Sequence, residues 1–526
     1  MEQVAVKFDG VVARIPGKVD QDAVYFTVLT TLFAAVTVHA FFWLFVGFTQ
    51  PIADLHQFRQ TQTAVSAYWI WRGGPLLAYE TPVLGYPWSV PFEFPLYQYL
   101  VAGLRMIGVP IAEGGRLVMF AFYLGLLWPL KVLFRNLSLG RTDYLILSIL
   151  LIASPLYIYW SRTVMIESCA LFLGLAWLAF LVQYMRTQVL RDAAIAIGFG
   201  ILAINTKLTT FPGFGIIGAI AFLAIAYRMY RDGLTERNAR FLLTVACIGL
   251  APFASGLAWV AYTDHVKGQN ALGTLLTSGA LSTWNFGTLE QRLSAQFWQG
   301  AILGRIVPDI LGFGAIAGLI ACGAALGSLR YARLLGFSIL GFFAPMLIFT
   351  NLHIEHNYYQ YANGMFLLAA VGFGLSSLAH SGRRVLSAML LMIVVGGQLI
   401  YFNAGFARVI SADYSGNREI QVGALAKSLT RPEDGLLILG DDWNSAIAYE
   451  AERKAITVAY WTPSATMAQI LDRPERYLGG TKLGAIVYCG DQAQRYQVNP
   501  QDLRQFLAGR AVLGQASGCQ ILAPQR

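Results

Sequence analysis

The chain has 526 residues; 56% are hydrophobic, only 13% are charged, and the net charge is +9. A soluble domain carries roughly 25% charged residues, so a wholly water-covered globule is excluded and apolar runs of about 18 or more residues that cross a bilayer are implied. The basic residues stand in short clusters between those runs. That is the orientation bias of membrane proteins rather than a nucleic-acid footprint, and no nucleic-acid motif occurs.

Residues 1–22 are polar and of mixed charge and read as a cytoplasmic N-terminal segment. The first apolar run, 23–48, is longer than a signal-peptide h-region, so a retained helix is expected and no cleavable signal. Further runs fall at 94–110, 117–134, 143–160, 165–185, 192–206, 211–228, 241–262, 301–325, 334–350, 358–379 and 385–404. They do not alternate as barrel strands do, which leaves helices. Lys7, Arg14 and Lys18 precede the first run. Arg186 with Arg191, Arg228 with Arg231, Arg237 and Arg240, Arg330 with Arg333, and Arg383 with Arg384 mark later connections. Placing all of them inside puts the connections around 162, 207–210, 263–300 and 351–357 outside, together with everything after 405. Twelve simple crossings would return both ends to one side. The charges instead require 11 or 13, with 94–110 or the Pro155-containing run re-entrant, or one run split.

The outer connections 49–93 and 263–300 are too long to be mere links, and long loops in compact proteins are functional or disordered. The transmembrane region spans 23–410. A soluble α/β domain is expected over 411–526, where GLLILGDDWNSAIAYEA reads as buried strand, turn and helix, and LGAIVYCG repeats the strand pattern. Asp441, Asp442 and Trp443 follow that first strand, as an ordinary turn or an acceptor contact. Cys169, Cys247 and Cys322 lie in apolar runs and read as small core residues, whereas Cys489 and Cys519 of the tail either pair or stay free.

Charged groups at membrane depth are costly and each needs a reason. Asp54 follows the first run in QPIADLHQFRQTQTA, with Arg59 close behind. Arg162 and Glu167 stand in SRTVMIES, Lys207 in AINTKLTTFPG, and His353, Glu355 and His356 in TNLHIEHNYYQYANG. The topology brings all of them to the outer face. That set suits transfer of a group from a lipid-phosphate donor. An acid serves as general base toward an acceptor hydroxyl or amine, cations hold the phosphate leaving group, and helices supply a membrane-facing groove for the lipid. No P-loop is present.

A first helix followed by an acid in a long outer loop, then EFPLYQYL, SRTVMIESCALFL, a helix ending in INTK, and HNYYQ before a late helix, together resemble the GT-C superfamily. The likeness is to its bacterial branch, related to protein O-mannosyltransferases and the lipid A aminoarabinose transferase. The resemblance implies a polyprenyl-phosphate-linked sugar donor, a glycan, lipid or protein acceptor, and a multi-pass protein of the bacterial inner membrane with its site and tail in the periplasm. It implies that Asp54 is the base, that Lys207 and Arg162 lie near the donor phosphate, and that His356 is the histidine of the late motif. Where many relatives carry adjacent acids, this chain reads DLHQF, and Glu93 in PFEFPLYQYL stands in for the missing one.

Each residue also has a plainer reading. Asp54 suits a helix cap, Arg59 an interface anchor or ion-pair partner, and Lys207 a snorkelling side chain. Arg162 and Glu167 suit a buried ion pair with each other. Tyr358 and Tyr359 suit an interfacial aromatic belt, Tyr359 also a substrate contact. His353 and His356 have the spacing of two metal ligands with no third in view, so a divalent metal is left open and no cofactor is assigned. Bare polytopy also suits a transporter or lipid flippase, against which stand the lack of internal repeats and the gathering of charge at one face. A noncatalytic assembly subunit is the third option.

Overall fold

The structure, a computed structural model, describes residues 21–490 and 493–525. Lys7, Arg14 and Lys18, and with them nearly all of the N-terminal segment, lie outside the described residues.

Nine helices among the described residues are long and apolar enough to cross a bilayer: Gln21–Phe45, Ile111–Asn136, Glu167–Thr187, Pro212–Arg231, Glu236–Lys267, Gln296–Gly327, Leu329–Ile348, Tyr361–His380 and Arg384–Ile410. Two further segments have the reach. Leu190–Thr206 has 17 residues, about 25 Å of helix. Arg141–Ala153 runs into Pro155–Trp160 across a break at Ser154, where the proline cannot donate to the preceding turn. With these two, eleven segments among the described residues are long enough to cross. The run 94–110 supplies only Leu96–Met106, an 11-residue helix too short to span. Of the two runs in question it is the one too short to span, whereas the Pro155 run has the length.

The two ends of the bundle are chemically distinct. At one end Arg186 donates to Arg135 O (3.0 Å), Arg330 to Leu137 O (2.9 Å), Arg237 to Gln188 Oε1 (3.3 Å), and Arg384 pairs with Asp22 (2.6 Å). These are the predicted inward clusters, gathered together. At the other end Phe94 N donates to Asn205 O (2.8 Å), Trp259 Nε1 to Phe92 O (3.1 Å), and Arg116 to Phe48 O and Gln50 O (2.7 and 2.8 Å). Tyr361–His380, buried along its length apart from its last residue, is the central helix. Glu167–Thr187 beside it is nearly as enclosed. Cys247, expected in a core, instead faces outward, as an apolar thiol can toward lipid.

The tail forms a five-stranded sheet: β1 Gly435–Leu439, β2 Lys454–Thr457, β3 Leu483–Cys489, β4 Val512–Ala516 and β5 Cys519–Leu522, in the order β2-β1-β3-β5-β4. β2, β1 and β3 are parallel, and β5 runs antiparallel between β3 and β4. β1 is buried on both faces, which is why it reads as a continuous apolar run. Cys489 and Cys519 face each other across β3 and β5 and form a disulfide.

Both long outer connections contain more structure than expected. A third of 49–93 is the helix Gln57–Trp71, and 263–300 shrinks because flanking helices extend to Lys267 and begin again at Gln296. Residues 82–85 then lie along the outer edge of β2. Ala455 N donates to Pro82 O (2.9 Å), Thr457 N to Val83 O (2.7 Å), and Gly85 N to Ala455 O (3.0 Å). Asn270 of the second connection donates to Gly85 O (2.9 Å) and Pro87 O (2.8 Å). Loop, loop and tail therefore make one hydrogen-bonded cap on the bundle, and the loop covers an edge strand that would otherwise present unpaired backbone.

Candidate functional site

The connections between the helices at the capped end converge, and every charged residue singled out in the sequence lies among them. Asp54 precedes the helix Gln57–Trp71, whose cap position is held by His56 at φ 55°. Asp54 is thus not a cap. Its Oδ2 lies 3.2 Å from Arg162 Nη1, with only 6% of the Asp54 side chain and 1% of the Arg162 side chain exposed. Gln60 Nε2 donates to Asp54 Oδ1 and, at 2.9 Å, to Leu55 O, while Gln60 Oε1 accepts from Val164 N (3.0 Å). One amide thereby fixes the acid-bearing loop to the SRTV turn.

Arg162 does not pair with Glu167, as their spacing suggested. Ile166 and Glu167 begin a helix whose start points Glu167 at Lys207 instead. Lys207 Nζ bonds Glu167 Oε1, both side chains nearly inaccessible. Lys207 ends the helix Leu190–Thr206 in an extended conformation, which turns the side chain into the cluster and rules out snorkelling. Its ammonium lies 4.6 Å from the centroid of the Tyr359 ring and 5.1 Å from that of Tyr358. Both tyrosines are therefore packed on a buried cation, not set in a belt. Burial lowers the Lys207 pKa from its ordinary value, with Glu167 offsetting part of the effect. Glu167 Oε2 has no hydrogen-bond partner.

Arg59 pairs with Glu93, the third buried or half-buried ion pair of the cluster. Glu93 therefore compensates Arg59 rather than standing beside Asp54 as a second acid. His356 packs between Tyr358 (5.3 Å), Tyr359 (5.8 Å) and His56 (5.5 Å). Burial, with the neighbouring His56 and Lys207 charges, pushes its pKa down to about 3, so it is neutral at ordinary pH. His353 Nδ1 faces Phe349 O at 2.9 Å, and burial pushes its pKa down to about 4. Arg305 spans that turn, donating to Ile354 O (3.0 Å) and to His353 O. Two neutral histidines beside Arg305 and Lys207 are a poor ligand set for a cation. Among the described residues no three His, Cys, Asp or Glu side chains group as one.

The sequence reading missed His56, Gln60 and Arg305. His56 Nε2 lies 2.7 Å from Asn357 Oδ1, joining the first outer connection to the late one. Arg305 was legible in principle as an arginine inside an apolar run. The signal for Gln60 is the run Gln60, Thr61, Gln62 and Thr63, all polar and all buried, but only the structure shows that burial.

Beside the cluster, a groove of about 540 Å³ opens on the flank of the bundle, lined by Trp177, Ile204, Leu208, Phe211, Phe222 and Leu257 among others. Its wall is apolar, Leu250, Phe253 and Leu257 are exposed along it, and Leu208, the chain neighbour of Lys207, is part of it.

No family model and no curated protein matches the sequence. Solved structures do match. ArnT from Cupriavidus metallidurans, bound to undecaprenyl phosphate, aligns over 93% of this chain and 97% of its own with a TM-score of 0.63 at 12% identity. The apo oligosaccharyltransferase of Archaeoglobus fulgidus aligns over 89% of this chain and 70% of its own with a TM-score of 0.55 at 13% identity. The arabinofuranosyltransferase AftD from Mycobacteria aligns over 93% of this chain and 40% of its own with a TM-score of 0.53 at 16% identity. At these identities the likeness is one of fold: over most of its length the chain has the fold that these three transferases share.

Proposed function

We propose that the chain is a membrane glycosyltransferase that moves a sugar from a polyprenyl-phosphate donor to an acceptor at the capped end of the bundle, on the extracytoplasmic face of a bacterial inner membrane. One observation carries the reading. Buried ion pairs, which membrane helices avoid unless they serve a purpose, gather at one end of the bundle, and an apolar groove on its flank has Leu208, the chain neighbour of Lys207, in its wall. In this reading a polyprenyl chain would lie in that groove and Lys207 would hold its phosphate. The phosphate would share or displace Glu167, whose second oxygen is already unpartnered. The ArnT to which this chain is similar was solved with undecaprenyl phosphate.

The proposed reaction needs few protein groups. The acceptor O–H or N–H gives its proton to Asp54, each of whose oxygens keeps a free lone pair beyond its bond to Gln60 or Arg162. The acceptor atom bonds the anomeric carbon, the bond from that carbon to the phosphate oxygen breaks, and polyprenyl phosphate leaves with the charge that Lys207 offsets. Gathering of charge at one end, rather than at mid-span, disfavours a transport pathway.

The test uses purified protein in lipid nanodiscs, a panel of polyprenyl-phosphate sugars and an envelope extract as acceptor, with release of polyprenyl phosphate as readout. Wild type should release it from one donor, and Asp54→Asn should be slower by about 10²–10⁴-fold. A fully active, folded Asp54→Asn would remove Asp54 as the base. No release from any donor, together with no binding of polyprenyl phosphate, would remove the class.

A further inference from the structure

Two turns of the tail leave the carboxyl ends of adjacent parallel strands, the first after β1 and the second after β2. Each carries a tryptophan, Trp443 and Trp461, with ring centroids 6.4 Å apart and planes at 73°. The carboxyl ends of parallel strands are where open α/β sheets bind ligands. Two phenylalanines from the membrane region complete the group. Phe58 lies 4.9 Å and Phe92 6.5 Å from the Trp443 ring. These two are the sequence neighbours of Arg59 and Glu93, so the aromatic group borders the buried charges directly. None of the four is fully buried, and Trp461 keeps 38% of its surface exposed. Asp442 stands in the same turn as Trp443, its Oδ1 accepting from Tyr460 N (2.9 Å).

We infer that Trp443, Trp461, Phe58 and Phe92 form a stacking platform for a sugar ring of the acceptor, which makes the acceptor a glycan or glycolipid rather than a bare polypeptide. This rests on the glycosyltransferase reading and extends it. Half-exposed aromatic faces hold the apolar C–H faces of a sugar ring, while the Asp442 carboxylate is a hydrogen-bond acceptor suited to hydroxyls at the ring's edge. A peptide would more readily add as a strand to the sheet edge beside this group, but that edge, β2, is already occupied by residues 82–85.

The experiment uses the full-length protein in nanodiscs. Tryptophan fluorescence is titrated with a panel of neutral di- to tetrasaccharides of hexoses and pentoses. Binding of polyprenyl phosphate is measured separately on the same samples. At least one saccharide should bind wild type, about tenfold weaker to Trp461→Ala and to Trp443→Ala, with affinity kept in Trp461→Tyr and Trp443→Phe. Polyprenyl phosphate binding should be unchanged in all four variants. No saccharide binding at up to about 50 mM, a regime weaker than the usual millimolar limit of such sites, would overturn the platform. So would alanine variants that bind as wild type, or fluorescence quenched by brominated lipid and not by sugar. Loss of saccharide and lipid binding together in the alanine variants would mark a folding role and also overturn it. Lipid binding without saccharide binding removes the platform and leaves the glycosyltransferase; saccharide binding without lipid binding removes the donor assignment instead.

Discussion

Asp54 and Arg162, and Lys207 and Glu167, are two pairs in which both charges are almost wholly buried. Breaking such a pair by removing one member leaves an uncompensated charge and costs about 3–5 kcal/mol, whereas replacing both members with apolar groups can be neutral. Lys207 and Glu167 separate stability from function on this basis. Lys207→Met alone and Glu167→Leu alone should each lower the thermal midpoint of the nanodisc-embedded protein. The double variant should recover most of that loss and still fail to bind polyprenyl phosphate. A double variant that binds the lipid normally would show that Lys207 serves only its neighbour. The residues were visible in the sequence as charges bordering apolar runs, but their pairing was not. Spacing joined Arg162 to Glu167, and only the packing of four connections against one another joined each to a partner more than 39 positions away.

At the scale of elements, close helix crossings in the membrane depend on small residues, since lipid gives apolar side chains no drive toward one another. The break in Gln296–Gly327 at Gly312, where φ is +58°, lets that segment approach Arg384–Ala404 at Gly397. A Cβ at Gly397 would lie 2.2 Å from Gly314 N, and one at Gly312 would lie 2.3 Å from Gly397 O. Both neighbours are backbone and cannot step aside. Gly397→Val should therefore destabilise by more than the ~1–3 kcal/mol of ordinary overpacking, read as a lowered thermal midpoint or loss of monodisperse protein. Gly396→Val, one position along where nothing lies within 4 Å, should be tolerated. Helix existence was legible from hydropathy because period and length decide it. The short helix Leu96–Met106 was ambiguous because an apolar run of that length serves equally on a surface or across a bilayer.

For the whole molecule, the tail is not an appendage but is bonded to the connection that carries Asp54 and Arg59. Thr61 and Ser445 hydroxyls meet at 2.7 Å, and Ser445 Oγ donates to Phe58 O at 2.9 Å. The tail also carries its own pH dependence. Burial pushes the Glu450 carboxyl up to about 7, with Glu452 adding to it and Lys427 opposing it. Burial and Glu419 push Asp441 up to about 7 despite the Arg418 guanidinium 2.7 Å away. An acid raised in the folded state binds its proton there at a pH where the unfolded chain has lost it. Its stabilising contribution is full below the ordinary carboxylate range and is lost as pH rises through about 7. Amide exchange in 411–526 of the intact protein should therefore be slower, after correction for intrinsic rates, at pH 5.5 than at pH 8. Equal protection at the two pH values would show that these carboxyls do not govern the tail.

The sequence by itself determined the membrane class, most of the long apolar helices, the gathering of the basic clusters at one end of the bundle and two strands of the tail, because hydropathy and basic clusters report transfer energies that act locally along the chain. It also placed every charged candidate at one end of the bundle. Tertiary structure decided which acid meets which base, that Tyr358 and Tyr359 cover a cation, that His56 and Gln60 join the buried cluster, and that the first long connection is bound to β2. Those facts depend on contacts between residues up to several hundred positions apart, and no local pattern carries them.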